Sequence, residues 1–229
     1  MNLAALFSGG KDSTYSIYKA KQMGHDIKCL ITGIPKSVNS HLLHFPNIEL
    51  TNLQSETLGI PQITSTLDSD ESSEEINMIK ILLEKAKVDF QIDGLVHGGI
   101  SSEFQKKKFE KICKEDNLNI ITPLWKTNPK EYMINLLNSN FKFILTSVSS
   151  DGLDETWLGK IISIDDVSLL SNLSSKHGFN LNFEGGEAET FVTDCPIYSH
   201  PIKINKSQTI WDGYRGRFEI EDASLDSNA

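Results

Sequence analysis

Residues 8–13 read Ser8-Gly9-Gly10-Lys11-Asp12-Ser13, and this short stretch decides the fold of the first half of the chain. It follows an apolar run, Leu3–Phe7, which is typical of a buried parallel strand. A stretch from Ser13 to Met23 with helical periodicity comes next and ends at Gly24, a residue that commonly caps helices. Ile27–Thr32 then predicts a second strand. A strand, a glycine loop, a helix and a strand form one βαβ unit, which implies a parallel sheet.

The alternation of strands and helices continues through the first half of the chain. A third strand is predicted at Gly94–His97, and helices are predicted at Ile48–Leu58 and Ser102–Glu115. A further helix is predicted to begin in the acidic run Asp68–Glu75 and to end at about Lys87. Parallel strands joined by helices need helices on both faces of the sheet. We therefore expect an α/β domain with a doubly wound parallel sheet over residues 1–122.

The pattern changes after Thr122-Pro123, where a second and smaller domain is expected. Phe141–Val148 predicts a strand, and Asp165–His177 predicts a helix that begins with a capping box of Ser163 and Asp166. Short extended runs follow at Thr190–Thr193, Ile202–Asn205, Gln208–Trp211 and Arg217–Ile220. These features indicate an α+β domain over residues 123–223, and a loose tail is expected at 224–229.

The residue types in the glycine loop fit a highly charged anion. Gly9 and Gly10 let the backbone turn sharply and approach a phosphate closely, and free amides at the start of a helix point at such an anion. Lys11 adds a positive charge, and the two serines of the loop add hydroxyl donors. Asp12 does not suit a pure anion cradle, so we expect it to help hold a Mg²⁺ ion that shields the phosphates.

Composition excludes several classes of protein. The 229 residues contain no apolar run near the roughly 18 residues that span a bilayer, and Met1–Phe7 does not resemble a secretory signal. The three cysteines stand apart, which argues against a zinc site or a disulfide framework and favours the reducing cytoplasm. A formal net charge of −9 argues against broad nucleic-acid binding. A homo-oligomer is compatible with these data.

Three further segments carry dense polar or glycine patterns. The first is Ser40–Asn47, which contains the run His44-Phe45-Pro46-Asn47. The second leads from Gly98 through Gln105 to Lys108. The third, Glu184–Pro196, reads EGGEAETFVTDCP, a run that average composition does not produce. Polar motifs of this density point to a binding or catalytic role.

The glycine loop after the first strand resembles the PP-loop of the N-type ATP pyrophosphatases, which have a HUP-like fold. Together with the three segments, it resembles the diphthine–ammonia ligase family, and the short chain is most similar to the archaeal form. The resemblance extends from Leu3 to about Pro196. It implies an enzyme of diphthamide biosynthesis that acts on translation elongation factor 2.

The resemblance also implies a reaction. ATP adenylates the carboxylate of diphthine, a modified histidine of elongation factor 2, and ammonium supplies the nitrogen that displaces AMP. The products are the amide, AMP and pyrophosphate. This chemistry is reasonable because a carboxylate is a poor electrophile near neutral pH, and an adenylate supplies a good leaving group.

The residues expected to bind ATP come from four parts of the sequence. Gly98 and Gly99 end a parallel strand at the carboxyl edge of the sheet, where ligands gather. Gln105 and Lys108 lie one helical turn apart and could reach the phosphates. The full predicted set is Ser8, Gly9, Gly10, Lys11, Asp12, Ser13, Ile31, Gly33, His44, Gly98, Gly99, Gln105 and Lys108. Ile31 and Gly33 would contact adenine through backbone atoms.

The third segment places three carboxylates beside two glycines. Glu184, Glu187 and Glu189 could bind ammonium, take its proton, or order the segment around the substrate. Gly185 and Gly186 are included in the predicted substrate and ammonium site. The predicted catalytic residues are Lys11, Asp12, Glu184 and Glu187. Asp194 is either a second metal ligand or a turn residue, and Cys195 is expected to be a buried structural residue.

The chain departs from the family pattern in places. Gly99 stands where the family often has an acid, and Ala188 stands where it often has an aromatic residue. Lys106 and Lys108 stand where the family tends to have arginine, so the charge remains but bidentate geometry is lost. Two alternatives stay open: a PP-loop enzyme that modifies tRNA by thiolation or lysidine formation, and a module that binds ATP without turnover.

Overall fold

A computed structural model describes residues 1–35, 47–67 and 72–226 of the chain. The chain divides into two compact units, Met1–Trp125 and Lys126–Ala229. Within the described residues, no helix is long and apolar enough to cross a membrane.

The first unit contains five strands and four α-helices within its described residues. The strands are β1 (Asn2–Leu6), β2 (Asp26–Ile34), β3 (Gln62–Thr66), β4 (Gly94–Val96) and β5 (Asn119–Ile121). The helices are α1 (Lys11–Gln22), α2 (Thr51–Leu58), α3 (Ser72–Phe90) and α4 (Glu103–Glu115), and a 3₁₀ turn at Ile48–Leu50 precedes α2.

The sheet of the first unit confirms the α/β prediction. All pairings are parallel, and the strand order is β3-β2-β1-β4-β5. The chain therefore moves outward from β1 to β3 and then restarts on the other side of β1 with β4. In such sheets, ligands bind outside the carboxyl ends of the strands at this switch point. The segments that leave β1 and β4 lie there.

The central strand of the sheet is apolar because helices cover it. Leu3, Ala4 and Ala5 of β1 are fully buried, and Leu95 of β4 and Leu83 of α3 are buried with them in the core. Burial of this kind is the main stabilising contribution in such a domain. It holds the ends of β1 and β4 on a rigid support.

Within its described residues, the second unit is an antiparallel sheet with two α-helices, which agrees with the α+β prediction. The strands are β6 (Lys142–Val148), β7 (Ala188–Asp194), β8 (Ile202–Trp211) and β9 (Gly216–Leu225), in the order β7-β6-β9-β8. The helices are α5 (Pro129–Asn138) and α6 (Ile164–His177). The capping box of Ser163 and Asp166 is present at the start of α6.

Two predictions for the end of the chain are wrong. The runs Ile202–Asn205 and Gln208–Trp211 belong to one strand, β8, because pairing with β9 continues through a bulge between them. Strand β9 extends to Leu225, since Ser224 and Leu225 pair with β8, so these two residues are not part of a loose tail.

Candidate functional site

The phosphate loop (Ser8–Ser13) lies between the end of β1 and the first turn of α1. Gly9 has a φ of 75°, a value that suits glycine, and Gly10 is the N-cap of α1 without any side-chain cap. Within the described part of the chain, the amides of Gly9 and Gly10 donate no hydrogen bond. Amides at the start of a helix that donate no hydrogen bond within the protein, together with the helix dipole, form an anion-binding site.

Lys11 brings a buried positive charge to the phosphate loop. Its side chain is only 2% exposed, and its Nζ lies 3.0 Å from Oδ2 of Asp12, whose side chain is 30% exposed. A buried ammonium group needs an opposite charge beside it, and Asp12 provides one. The lysine is therefore held inside the loop and not extended into solvent.

The two serines close the loop on itself. The hydroxyls of Ser8 and Ser13 lie 3.2 Å apart, and the backbone N–H of Ser8 donates to Oγ of Ser13 at 3.3 Å. The hydroxyl of Ser13 also donates to the carbonyl oxygen of Gly10 at 3.1 Å. All six residues singled out in the sequence therefore form one compact turn.

The carboxylate that the loop offers suits a Mg²⁺ ion whose other ligands include the phosphates of a bound molecule. Among the described residues there is no group of three or more His, Cys, Asp or Glu side chains that could hold a metal ion. Mg²⁺ is commonly bound by only one or two carboxylates together with substrate phosphates. The partly exposed carboxylate of Asp12 is a ligand of this type.

The end of β4 packs against the phosphate loop at Gly98. A Cβ on Gly98 would lie 2.5 Å from the carbonyl carbon of Asp12 and 2.8 Å from the backbone nitrogen of Ser13. Any side chain at this position would collide with the first turn of α1. Gly98 therefore allows the segment after β4 to approach the loop closely.

Gly99 packs directly against His97, a residue that the sequence analysis did not single out. The N–H of Gly99 donates to Nδ1 of His97 at 3.1 Å, and a Cβ on Gly99 would lie 2.9 Å from the ring. His97 is 3% exposed, and its ring centroid lies 5.0 Å from that of Phe109. The imidazole therefore occupies the space that an acidic side chain at position 99 would need.

Two lysines of α4 lie over aromatic rings. Nζ of Lys106 is 4.3 Å from the ring centroid of Trp125, and Nζ of Lys108 is 4.6 Å from that of Phe104. The Oγ of Ser102 accepts from the backbone N–H of Gln105 and caps the helix. Cation–π contacts of this kind orient a lysine without removing its charge. The ring of Trp125 thus holds a cation.

The predicted adenine contacts lie inside β2. The strand was expected to end at Thr32, but it continues to Ile34 because Gly33 and Ile34 pair with β3. Ile31 is buried, and its carbonyl oxygen accepts from the backbone N–H of Phe7 at 2.9 Å. Adenine contacts by Ile31 and Gly33 stay a prediction. His44 lies outside the described residues.

In the second unit, the acidic loop (Glu184–Glu187) is held by one of its own carboxylates. Oε1 of Glu187 accepts hydrogen bonds from the backbone N–H and the side-chain amide of Asn180, both at 2.9 Å. Oε2 accepts from the N–H of Gly185 at 2.8 Å. Of the three roles considered for Glu187, these contacts favour the ordering of the segment.

The rest of the acidic loop is tied to the end of β6. The hydroxyl of Ser149 donates to the carbonyl oxygen of Gly186 at 2.7 Å, and its N–H donates to the carbonyl oxygen of Glu187 at 2.9 Å. Glu184 is partly exposed, and Glu189 lies on β7, where its N–H donates to the hydroxyl of Ser147. The loop therefore has a fixed shape.

The contacts of Asp194 and the burial of the cysteines favour structural roles for these residues. Oδ2 of Asp194 lies 2.9 Å from Nζ of Lys142 in the neighbouring strand β6, and Cys195 is buried. Burial raises the pKa of Cys29 and Cys113 to about 12, so both remain thiols at neutral pH. Thiols in this state are poor nucleophiles.

Comparison with known proteins finds that the chain is similar to diphthine–ammonia ligases. Diphthine–ammonia ligases of Mus musculus and Homo sapiens are 29% and 28% identical to the chain over 232 residues, which cover 92% of this chain and 85% of each relative. The Danio rerio diphthine–ammonia ligase is 28% identical and covers 92% of this chain and 89% of its own length.

A solved structure described as a predicted subunit of a tRNA methyltransferase from Methanocaldococcus jannaschii covers 86% of this chain and 98% of its own. Its TM-score is 0.46 at 21% identity, and a similarity of this size says nothing about the chemistry of the present chain.

Family models cover both units of the chain. The model of the diphthamide synthase N-terminal domain matches residues 1–120, and that of the diphthamide synthase C-terminal domain matches residues 128–225. The first match contains the phosphate loop with its buried lysine, and the second contains the acidic loop. The chain therefore belongs to the diphthamide synthase family.

Proposed function

We propose that the chain is a diphthine–ammonia ligase that uses ATP to convert the diphthine carboxylate of translation elongation factor 2 into the amide of diphthamide. Ammonium is the nitrogen donor, and AMP and pyrophosphate are the other products. The observation that carries the proposal is the phosphate loop, with its buried Lys11 and with the amides of Gly9 and Gly10, which donate no hydrogen bond within the described residues.

The first step is adenylation. A carboxylate oxygen of diphthine attacks the α-phosphorus of ATP, the bond from that phosphorus to the bridging oxygen breaks, and pyrophosphate leaves. Negative charge grows on the departing group, and the amides of Gly9 and Gly10 with the ammonium of Lys11 are placed to stabilise it. Asp12 would hold a Mg²⁺ ion, which supplies further charge neutralisation when it is bound.

The remaining predicted ATP contacts are part of this proposal. Gly98 supports the loop by its close approach to Asp12 and Ser13. Gln105 and Lys108 would bind phosphate oxygens from the first turns of α4, and Lys108 keeps its charge over the Phe104 ring. Lysine acts as a point charge here, since it lacks the two-pronged geometry of arginine.

The second step is amidation. Bound ammonium gives up one proton, the nitrogen of the resulting ammonia attacks the carbonyl carbon of the acyl-adenylate, the carbon–oxygen bond to AMP breaks, and the nitrogen loses a second proton. Carboxylates suit the binding of ammonium and the acceptance of that proton. We assign this role to Glu184 and Glu189, while Glu187 orders the acidic loop through Asn180 and Gly185.

The test is a product assay with purified protein, ATP, Mg²⁺, ammonium and diphthine-bearing elongation factor 2. We expect AMP and pyrophosphate in equal amounts, and a mass change of the protein substrate that corresponds to conversion of a carboxylic acid into an amide. Elongation factor 2 in which the diphthine histidine is unmodified is the matched control and should give no amide.

Three results would overturn the proposal. ADP as the nucleotide product would exclude adenylation. AMP formation that requires tRNA and ignores elongation factor 2 would favour a tRNA-modifying enzyme, and ATP binding without any turnover would indicate a binding module.

A further inference from the structure

Two backbone carbonyls, one just before the phosphate loop and one within it, point into the protein interior. The carbonyl oxygen of Phe7 accepts from the hydroxyl of Thr32 at 2.7 Å, and that of Gly9 accepts from Nε2 of Gln54 at 2.9 Å. Thr32 and Gln54 are both 0% exposed. The two carbonyls flank Ser8, so each side of the loop entrance is fixed by a buried side chain.

The two donors lie in one cluster of polar residues, which we call the loop brace (Thr32, Thr51, Gln54 and Gln62) and in which Gln54 is linked to the others through helix α2. Nε2 of Gln62 donates to the hydroxyls of Thr32 at 2.7 Å and of Thr51 at 2.8 Å. Thr51 begins α2, and Gln54 follows one turn later on the same helix. The loop brace thus connects β2, β3 and α2 to the backbone of the phosphate loop.

The hydrogen bond from Gln54 determines where the next amide points. The described peptide bonds are all trans, and in a trans peptide the C=O and N–H groups point in opposite directions. Because the Gly9 carbonyl faces Gln54, the N–H of Gly10 faces away from it. That N–H is one of the two loop amides that donate no hydrogen bond within the described residues.

The contact between Gln54 and the loop is close. A Cβ on residue 9 would lie 2.0 Å from Oε1 of Gln54, so the glutamine side chain occupies the volume that any other residue at position 9 would fill. Gly9 is therefore needed both for its positive φ and for access of Gln54 to the backbone.

We infer that Gln54 is a positioning residue for the pyrophosphate end of the ATP site. It acts through the Gly9–Gly10 peptide, whose orientation it fixes before the nucleotide binds. The inference rests on the proposed function for the identity of the ligand. The sequence offered no signal for it, because Gln54 lies in a helix with little apolar periodicity and far from the loop along the chain.

Without the Gln54 donor, the buried Gly9 carbonyl loses its partner and the peptide can rotate. Misplacement of a group by about 1 Å can lower catalytic efficiency by roughly a hundredfold. We expect the Gln54→Met variant, which keeps the side-chain volume, to bind pyrophosphate at least about tenfold more weakly. The loss concerns only the pyrophosphate end of the site, so AMP binding should be unchanged.

The experiment measures the binding of pyrophosphate with Mg²⁺, and separately of AMP, by calorimetry on the full chain. Gln208→Met, an exposed position of β8, is the matched control and should bind both like the wild type. In the Gln54→Met variant, a rise in Kd for pyrophosphate alone is the expected result. Equal Kd values for pyrophosphate in the two variants would overturn the inference.

A second pair of variants covers the case in which Gln54→Met does not fold. Thr32→Val removes the hydroxyl that holds the Phe7 carbonyl and keeps the shape, whereas Thr32→Ser retains a hydroxyl. We expect weaker pyrophosphate binding in the first and near wild-type binding in the second. Equal pyrophosphate affinity in both would contradict a positioning role for the loop brace.

These binding measurements need no elongation factor 2. A wild-type protein that binds pyrophosphate but forms no amide would contradict the proposed function and leave the inference about Gln54 intact. A wild-type protein that binds neither ATP nor pyrophosphate would overturn both.

Discussion

The phosphate loop and the acidic loop are both rich in glycine and charge, yet they use their polar groups in opposite ways. In the phosphate loop, buried side chains of the loop brace hold the backbone by donating to its carbonyl oxygens. The amides of Gly9 and Gly10 donate no hydrogen bond within the described residues, so they can donate to a ligand. In the acidic loop, Glu187 holds the backbone itself by accepting three hydrogen bonds from Asn180 and Gly185.

The difference shows that a charged residue in a conspicuous motif can act on the chain rather than on a ligand. Lys11 is buried beside one carboxylate and keeps its positive charge directed at the loop, while the charge of Glu187 is spread over donors of its own segment. Variants in and beside the two loops test whether this contrast holds.

The largest effect is expected for Lys11→Ala. Loss of the only lysine in the phosphate loop removes charge stabilisation of the departing pyrophosphate, and we expect kcat/KM for ATP to fall about a hundredfold or more. Lys107→Ala, an exposed position of α4, is the control and should leave kcat/KM unchanged. Unchanged turnover in Lys11→Ala would refute the assignment of the loop.

Gly98→Ala should have the next largest effect. The new Cβ would lie 2.5 Å from backbone atoms of α1, which cannot move easily, so we expect a loss of up to about 3 kcal/mol in unfolding free energy together with weaker ATP binding. Gly186→Ala in the acidic loop meets no atom within 4 Å and should cost only the backbone strain of its positive φ, about 1 kcal/mol. Denaturant unfolding of both variants measures the contrast.

Glu187→Gln tests whether the Glu187 carboxylate orders the acidic loop. The amide can still accept from Asn180, but its NH₂ group cannot accept from Gly185, so we expect a loss of about 1–2 kcal/mol in unfolding free energy. Amidation should fall, whereas pyrophosphate binding should be retained. Full stability of the variant would show that Glu187 acts on the ligand instead, and exposed Glu155→Gln is the control.

The smallest effect concerns the helix cap of the second unit. Burial tends to raise the pKa of Asp166, but hydrogen bonds from Lys160 and Ser163 outweigh it, and the pKa lies below its ordinary value. A lowered pKa stabilises the folded state above the unfolded value of about 3.9, and this stabilisation is lost as the pH falls through the folded value.

Asp166→Asn should therefore lower stability by about 1 kcal/mol at neutral pH and remove part of the loss of stability below about pH 4. Thermal unfolding between neutral and acidic pH measures both effects. An unchanged acid dependence would show that Asp166 does not contribute to it.

The sequence predicted the parts of the fold that are decided locally. The β1–loop–α1 unit follows from an apolar run, two glycines and helical periodicity, and the cap of α6 follows from Ser163 and Asp166. Helix α5 was missed although it carries a standard start signal, with Asn128 as N-cap and Pro129 in the first turn.

Other features depend on contacts between distant residues. Strand β2 ends at Ile34 because of its pairing with Thr66, and no residue near Thr32 signals this. The contact of Gln54 with Gly9 joins positions far apart in the chain. The direction of the Glu187 carboxylate depends on the turn that brings Asn180 near, which a linear motif does not encode.

The strand order of the second unit has a consequence for folding during synthesis. Strand β8 joins the sheet only through β9, which is made after it and lies between β8 and β6. The first unit, by contrast, has all its strands once Trp125 has been made. At usual elongation rates, on the order of one second passes between the completion of β8 at Trp211 and that of β9 at Leu225. During that time β8 has no partner strand, so a nascent chain stalled before Gly216 should be sensitive to proteases in its second unit only.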